Sequence, residues 1–182
     1  MDTTYYLLTL IWLFPIAFIF HDLEEIIMVE KWLKQNEVKL YQLLPKKMAD
    51  RIVKQFSMTT AQFSVAVLVI FLFVSTSTIL AGQYIVDGPF GNIYLFTVVV
   101  QLVFFLHAFT HIGQSILLHS ITPGVITSAI IIPYSSFLFL ALFEYGIISW
   151  QTFGSPCRFC YLSFRCYFLH IGLGRRLDSD AW

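Results

Sequence analysis

The sequence predicts an all-α membrane protein, a single domain over residues 1–182 built as a bundle of about five transmembrane helices. Three observations carry that prediction. The 182 residues are 58% hydrophobic and only 12% charged, whereas about a quarter of an average soluble domain is charged. Apolar runs close to the ~20 residues needed to cross a bilayer recur along the chain. The charges sum to zero and gather mainly in one loop, which gives no global basic surface for nucleic acid. With 19 Phe, 9 Tyr and 4 Trp, the composition also suits a lipid-facing surface with interfacial aromatics.

The first span is expected over about residues 4–33. Its apolar run from Tyr5 to Phe20 is short, but Ile26-Ile27-Met28-Val29 continues it past a polar motif without Gly or Pro. Asp2 and the lack of Lys or Arg near the start argue for a retained helix over a signal peptide. Pro15 is expected to kink or loosen this helix about one turn before His21. A basic loop comes next over residues 34–58, with Lys31 just before it and Lys34, Lys39, Lys46, Lys47, Arg51 and Lys54 within it. The positive-inside rule places it in the cytoplasm, so the N-terminus is expected outside. Within it Met48, Ile52 and Phe56 recur at i, i+4 and i+8, which fits either a short amphipathic helix over Lys46 to Phe56 on the inner leaflet or a solvated loop helix.

The second span is expected at about 59–81. Its Ser75-Thr76-Ser77-Thr78 cluster can bond to the preceding helical turn. A loop over Gly82 to Gly91, containing Asp87-Gly88-Pro89 and no Lys or Arg, is expected on the outer face. Spans three and four are expected at about 92–118 and 124–145, and a fifth at about 147–173, with Arg175-Arg176 marking a cytoplasmic C-terminus. Residues 155–167 are unusual for a last span. They hold Arg158, Arg165 and all three cysteines, Cys157, Cys160 and Cys166. Cys157-x-x-Cys160 alone is half of a zinc pattern and lacks the second pair that a four-ligand site needs.

The chemistry-bearing residues lie in His21-Asp22-Leu23-Glu24-Glu25 and in His107-Ala108-Phe109-Thr110-His111. An acidic residue near a bilayer centre costs roughly 2.5–3.5 kcal/mol and marks a functional site by default. Residues three and four apart share a helix face, so His21, Glu24 and Glu25 do so, and so do His107 and His111, flanked by Thr110 and Gln114. At 1.5 Å per residue His21 lies ~24 Å from Tyr5, and His107 lies ~22 Å from Asn92. Both helices enter from outside, so the motifs reach the same depth near the cytoplasmic side. Imidazoles and carboxylates are ligands for zinc and other transition metals. The first motif follows the inverzincin order His-x-x-Glu-His with Glu in the last place. On that pattern His21, Glu25, His107 and His111 are metal ligands and Glu24 is the general base. Zinc is the first expectation, with iron or manganese as alternatives. The structural reading of the same residues is hydrated headgroup carboxylates and interhelical histidine hydrogen bonds.

His21-x-x-Glu24-Glu25 near the end of the first span, with His107-x-x-x-His111 and Gly113 later, resembles the HXXEE family of small integral membrane proteins. The resemblance covers about the first four spans, to Tyr145, and residues 155–167 depart from it. It implies an architecture and assigns no reaction. The residues themselves suggest a membrane-embedded metal-dependent hydrolase in the cell membrane, acting on a lipid or lipid-linked substrate. A small proton- or cation-coupled transporter, or a non-catalytic partner of membrane lipids or another protein, fits them as well.

Overall fold

The computed structural model describes residues 2–88 and 91–151, and all regular structure among them is helical. The five helices are α1 (Thr3–Leu43), α2 (Lys46–Phe56), α3 (Thr60–Asp87), α4 (Leu95–Leu118) and α5 (Val125–Glu144). All but α2 are long and apolar enough to cross a membrane. The predicted fifth span, with its cysteines and arginines, lies outside the described residues beyond residue 151. One compact unit ends at Leu142, and a second begins at Phe143. In the described part of the second, Gly146 N–H donates to the Phe143 carbonyl (3.1 Å) and the rings of Phe143 and Trp150 lie 4.9 Å apart.

α1 starts at Asp2, whose side chain accepts from Thr4 N–H (3.1 Å) and caps the first turn. The helix runs through Pro15 and past the predicted end at residue 33. The predicted loop 34–58 is therefore the last part of α1, a turn at Leu44 and Pro45, and α2. Burial along α1 follows a seam spaced by threes and fours: Leu7, Ile11, Phe14, Phe18, His21 with Asp22, Glu25, Val29 and Trp32. That spacing keeps one helix face turned to the bundle. The polar motif occupies this seam without a change of face. Phe14 meets Phe96 and Phe104 of α4 edge-on, both at 5.3 Å. On another side Tyr134 of α5 donates its hydroxyl to the Leu10 carbonyl (2.8 Å).

α2 spans the residues expected for the amphipathic helix. Ala49 is buried with Trp32, Leu33, Leu40, Leu44 and Leu118, and Ile52, Val53 and Phe56 pack against that cluster. Its apolar face thus runs through Ala49, Ile52, Val53 and Phe56, and it covers α1 rather than facing lipid. The expected stripe is corrected at Met48, which is half exposed. At ~100° per residue, centring the face on Ala49 turns Met48 outward. Lys46, Lys47, Arg51 and Lys54 are exposed.

α3 packs along α1. It begins with a reciprocal cap, Gln62 N–H to Thr59 Oγ1 (3.2 Å) and Thr59 N–H to Gln62 Oε1 (3.0 Å). Glu30 of α1 adds to this start, accepting from Thr60 N–H (3.2 Å) and Thr60 Oγ1 (2.7 Å). The hydroxyls of Thr76, Ser77 and Thr78 bond to carbonyls of the preceding turn, as expected from the sequence. The first seven residues of α4, Leu95–Gln101, are π-wound, and Leu102 N–H bonds five residues back to Thr97. A π-wound stretch changes the rotation of all later residues relative to an uninterrupted α-helix. In α4 those later residues carry the histidine face.

Replacing Ala49 with Asp should lower stability by about 2–4 kcal/mol, because the carboxylate would lie unpaired among Trp32, Leu40 and Leu118. Met48→Asp, at an exposed position, should stay within about 0.5 kcal/mol. Unfolding of the purified protein in mixed micelles measures both, and equal effects would contradict this packing of α2.

Candidate metal centre

His21 and Glu25 stand one turn apart on the inward seam of α1, and His107 and His111 one turn apart on α4. These four residues each offer a ligand atom, and the four atoms lie within 4.8 Å of one another. His21, Glu25 and His111 are buried, while the His107 side chain is 45% exposed. Glu25 Oε1 is the common point, 2.8 Å from His111 Nε2, 3.6 Å from His107 Nε2 and 3.9 Å from His21 Nε2. His111 Nε2 is also 2.8 Å from His107 Nε2.

The second set of contacts fixes which atom of His21 points inward. His21 Nδ1 lies 2.8 Å from Thr127 Oγ1, and Thr127 donates its hydroxyl to Glu24 Oε2 at 2.6 Å. A carboxylate only accepts, and the hydroxyl has one proton. Thr127 Oγ1 therefore accepts from His21 Nδ1–H, which leaves the lone pair on Nε2. That Nε2 is buried and has no hydrogen-bond partner. A histidine ligand with its other ring nitrogen held in this way is the usual arrangement at metal sites.

Glu24 itself faces away from the cluster. Its oxygens accept from Ile126 N–H (3.1 Å), Thr127 N–H (2.8 Å) and Thr127 Oγ1, so it caps the first turn of α5 from α1. Amide donors at a helix start have no partner within the helix, and a carboxylate there is favourable. Glu24 and Glu25 are adjacent in sequence and ~100° apart around the helix. One therefore meets α5 and the other the histidines.

The donor set could hold a cation. His111 Nε2 has two acceptor-bearing neighbours at 2.8 Å, and His21 Nε2 presents a lone pair to the same small volume. One shared proton cannot give every atom there a linear hydrogen bond. A cation bound to all four can satisfy them together. Tetrahedral bonds of ~2.0–2.1 Å put ligand atoms about 3.3 Å apart, and the distances from Glu25 Oε1, 2.8 to 3.9 Å, lie on both sides of that value.

The family profile described as "protein of unknown function with HXXEE motif" matches residues 12–138, more than half of the chain. The chain belongs to the HXXEE family. No curated protein and no solved structure is significantly similar to it. The matched region of this HXXEE protein contains both halves of the cluster and the start of α5.

Three residues at the HXXEE site carry little sequence signal. Asp22, an x position of the motif, is buried beside His21, and its Oδ2 has no hydrogen-bond partner. Thr127 is one of many hydroxyl residues in the spans. Gly124 has φ +79°, and a Cβ there would lie 2.9 Å from the His111 ring and 3.0 Å from the His21 ring. Only glycine lets the backbone before α5 approach both imidazoles in this conformation. The sequence signal for Gly124 and Thr127 is their place at the start of a span, directly after Pro123. Thr110 and Gln114, which flank the histidines in sequence, line the adjoining cavity.

Gly124→Ala should destabilise the protein by about 1–3 kcal/mol, through the unfavourable φ and the displaced rings together. Thermal unfolding is the measurement, and an Ala variant as stable as wild type would contradict the close approach.

Proposed function

We propose that this protein is a membrane-embedded, metal-dependent hydrolase acting on a lipid or lipid-linked substrate near the cytoplasmic face. The observation that carries the reading is the convergence of three imidazole nitrogens and one carboxylate oxygen within 4.8 Å inside an apolar bundle. The proposed ligands are His21, Glu25, His107 and His111, with zinc first and iron or manganese as the alternatives. When bound, the metal supplies Lewis-acid activation of water and of a carbonyl or phosphoryl oxygen.

The chain's own residues divide the remaining work. Glu25 offsets positive charge at the centre. Glu24 and Thr127 hold His21 in the tautomer that presents Nε2. Because its oxygens are occupied at the start of α5, Glu24 is assigned this positioning role instead of the general-base role expected from the motif. His107, the accessible ligand, faces a cavity. A smaller cavity of about 30 Å³ also touches Glu25 and His111, lined by Trp32 and by Ile52 of α2. It is large enough for water. With the exposed lysines of α2 in the cytoplasm under the positive-inside rule, the α2 side faces the inner leaflet.

Elemental analysis of the purified protein should find about one transition metal per chain, lost in His21→Ala and in His111→Ala. Thr127→Val should weaken metal affinity by roughly 10–100-fold while Thr127→Ser keeps it, as expected for a residue that orients a ligand. Absence of metal, or metal content indifferent to all of these substitutions, would sink the proposal.

A further inference from the structure

A cavity of about 650 Å³ lies among α1, α3 and α4, with His21, Glu25, His107 and His111 along its wall. Its volume falls in the range of small-molecule sites, about 300–1,000 Å³. Away from the cluster the lining is apolar, including Phe14, Phe18, Val67, Val74 and Phe104. Ile70, Phe73 and Val103 line it as well and are exposed on helices apolar enough to cross a membrane. In a bilayer the cavity therefore opens sideways among acyl chains.

One buried carboxylate in this wall has an oxygen without a partner among the described residues. Asp22 is 7% exposed, lines the cavity, and has Oδ2 without a hydrogen-bond partner. A buried carboxylate oxygen left unpaired is costly, and the partner it requires is a donor. An anionic head group would instead meet Asp22 and Glu25 as like charges.

We propose that this cavity binds a single-chain amphiphile, its tail among Phe14, Phe18, Val67 and Val74, with a head-group O–H or N–H donating to Asp22. The ligand class is a long-chain alcohol, amine or amide. The proposal rests on the metallohydrolase reading only in making this ligand its substrate or product, since chain binding itself does not require the metal.

The test uses the full chain in phospholipid nanodiscs, with metal removed by a chelator for the binding assay and zinc content measured separately, and radiolabelled dodecan-1-ol, dodecan-1-amine and dodecanoate. The alcohol and the amine should bind at about one per chain, and dodecanoate about tenfold more weakly or less. Asp22→Leu should erase that preference. Val74→Trp, which fills the cavity, should abolish binding of all three with zinc content unchanged, and Val67→Phe should give the same loss if the Trp variant does not fold. Equal binding of the three probes, no binding, or binding indifferent to both cavity-filling variants would overturn the proposal. Chain binding by a wild-type chain that takes up no transition metal would support this site while counting against the hydrolase alone.

Discussion

Glu25 is the constraint on which the rest of the arrangement depends. A carboxylate in the apolar interior of a bundle is tolerated only where opposite charge or hydrogen-bond donors surround it. Here the α4 imidazoles can do so, with His111 Nε2 at 2.8 Å and His107 Nε2 at 3.6 Å. That requirement fixes the rotation of both helices. On α1 it places Glu25 on the same seam as Leu7, Ile11, Phe14 and Phe18. On α4 it demands that His107 and His111 face α1 after a π-wound first segment.

α1 organises its neighbours through three carboxylates on different faces. Glu25 meets α4, Glu24 caps α5, and Glu30 receives the backbone and hydroxyl of Thr60 at the start of α3. Two of these satisfy amides at helix starts, which have no partner within their own helix. The cap on α5 also reaches the cluster, because Thr127 stands between Glu24 and His21. Gly124 completes this link by letting the chain turn into α5 against two imidazole rings. Helix assembly and ligand orientation are thus carried by the same few contacts.

Two cavities adjoin the cluster, and Glu25, Phe56, His111 and Gln114 line both. The smaller lies where α2 packs on the C-terminal part of α1 through Ala49. The larger lies among α1, α3 and α4.

The helical class, the four apolar segments, the α2 helix and the four residues that cluster were all legible in the sequence. They come from hydropathy and from 3.6-residue periodicity, which are local properties. That the two motifs meet was expected from rise per residue, although α4 starts at Leu95 rather than Asn92 and its first segment is π-wound. The tertiary structure decided the points that periodicity leaves open. His-x-x-Glu-Glu puts both glutamates near His21, but whether Glu24 or Glu25 faces the histidines depends on where α4 and α5 stand around α1. Met48 and Ala49 are one residue apart, and only the packing of α2 on α1 selects Ala49 as the buried one. Gly124 and Thr127 act across more than a hundred residues of sequence, and no local pattern links them to His21. Their roles come from a backbone approach and a hydrogen-bond chain that exist only once α5 is docked.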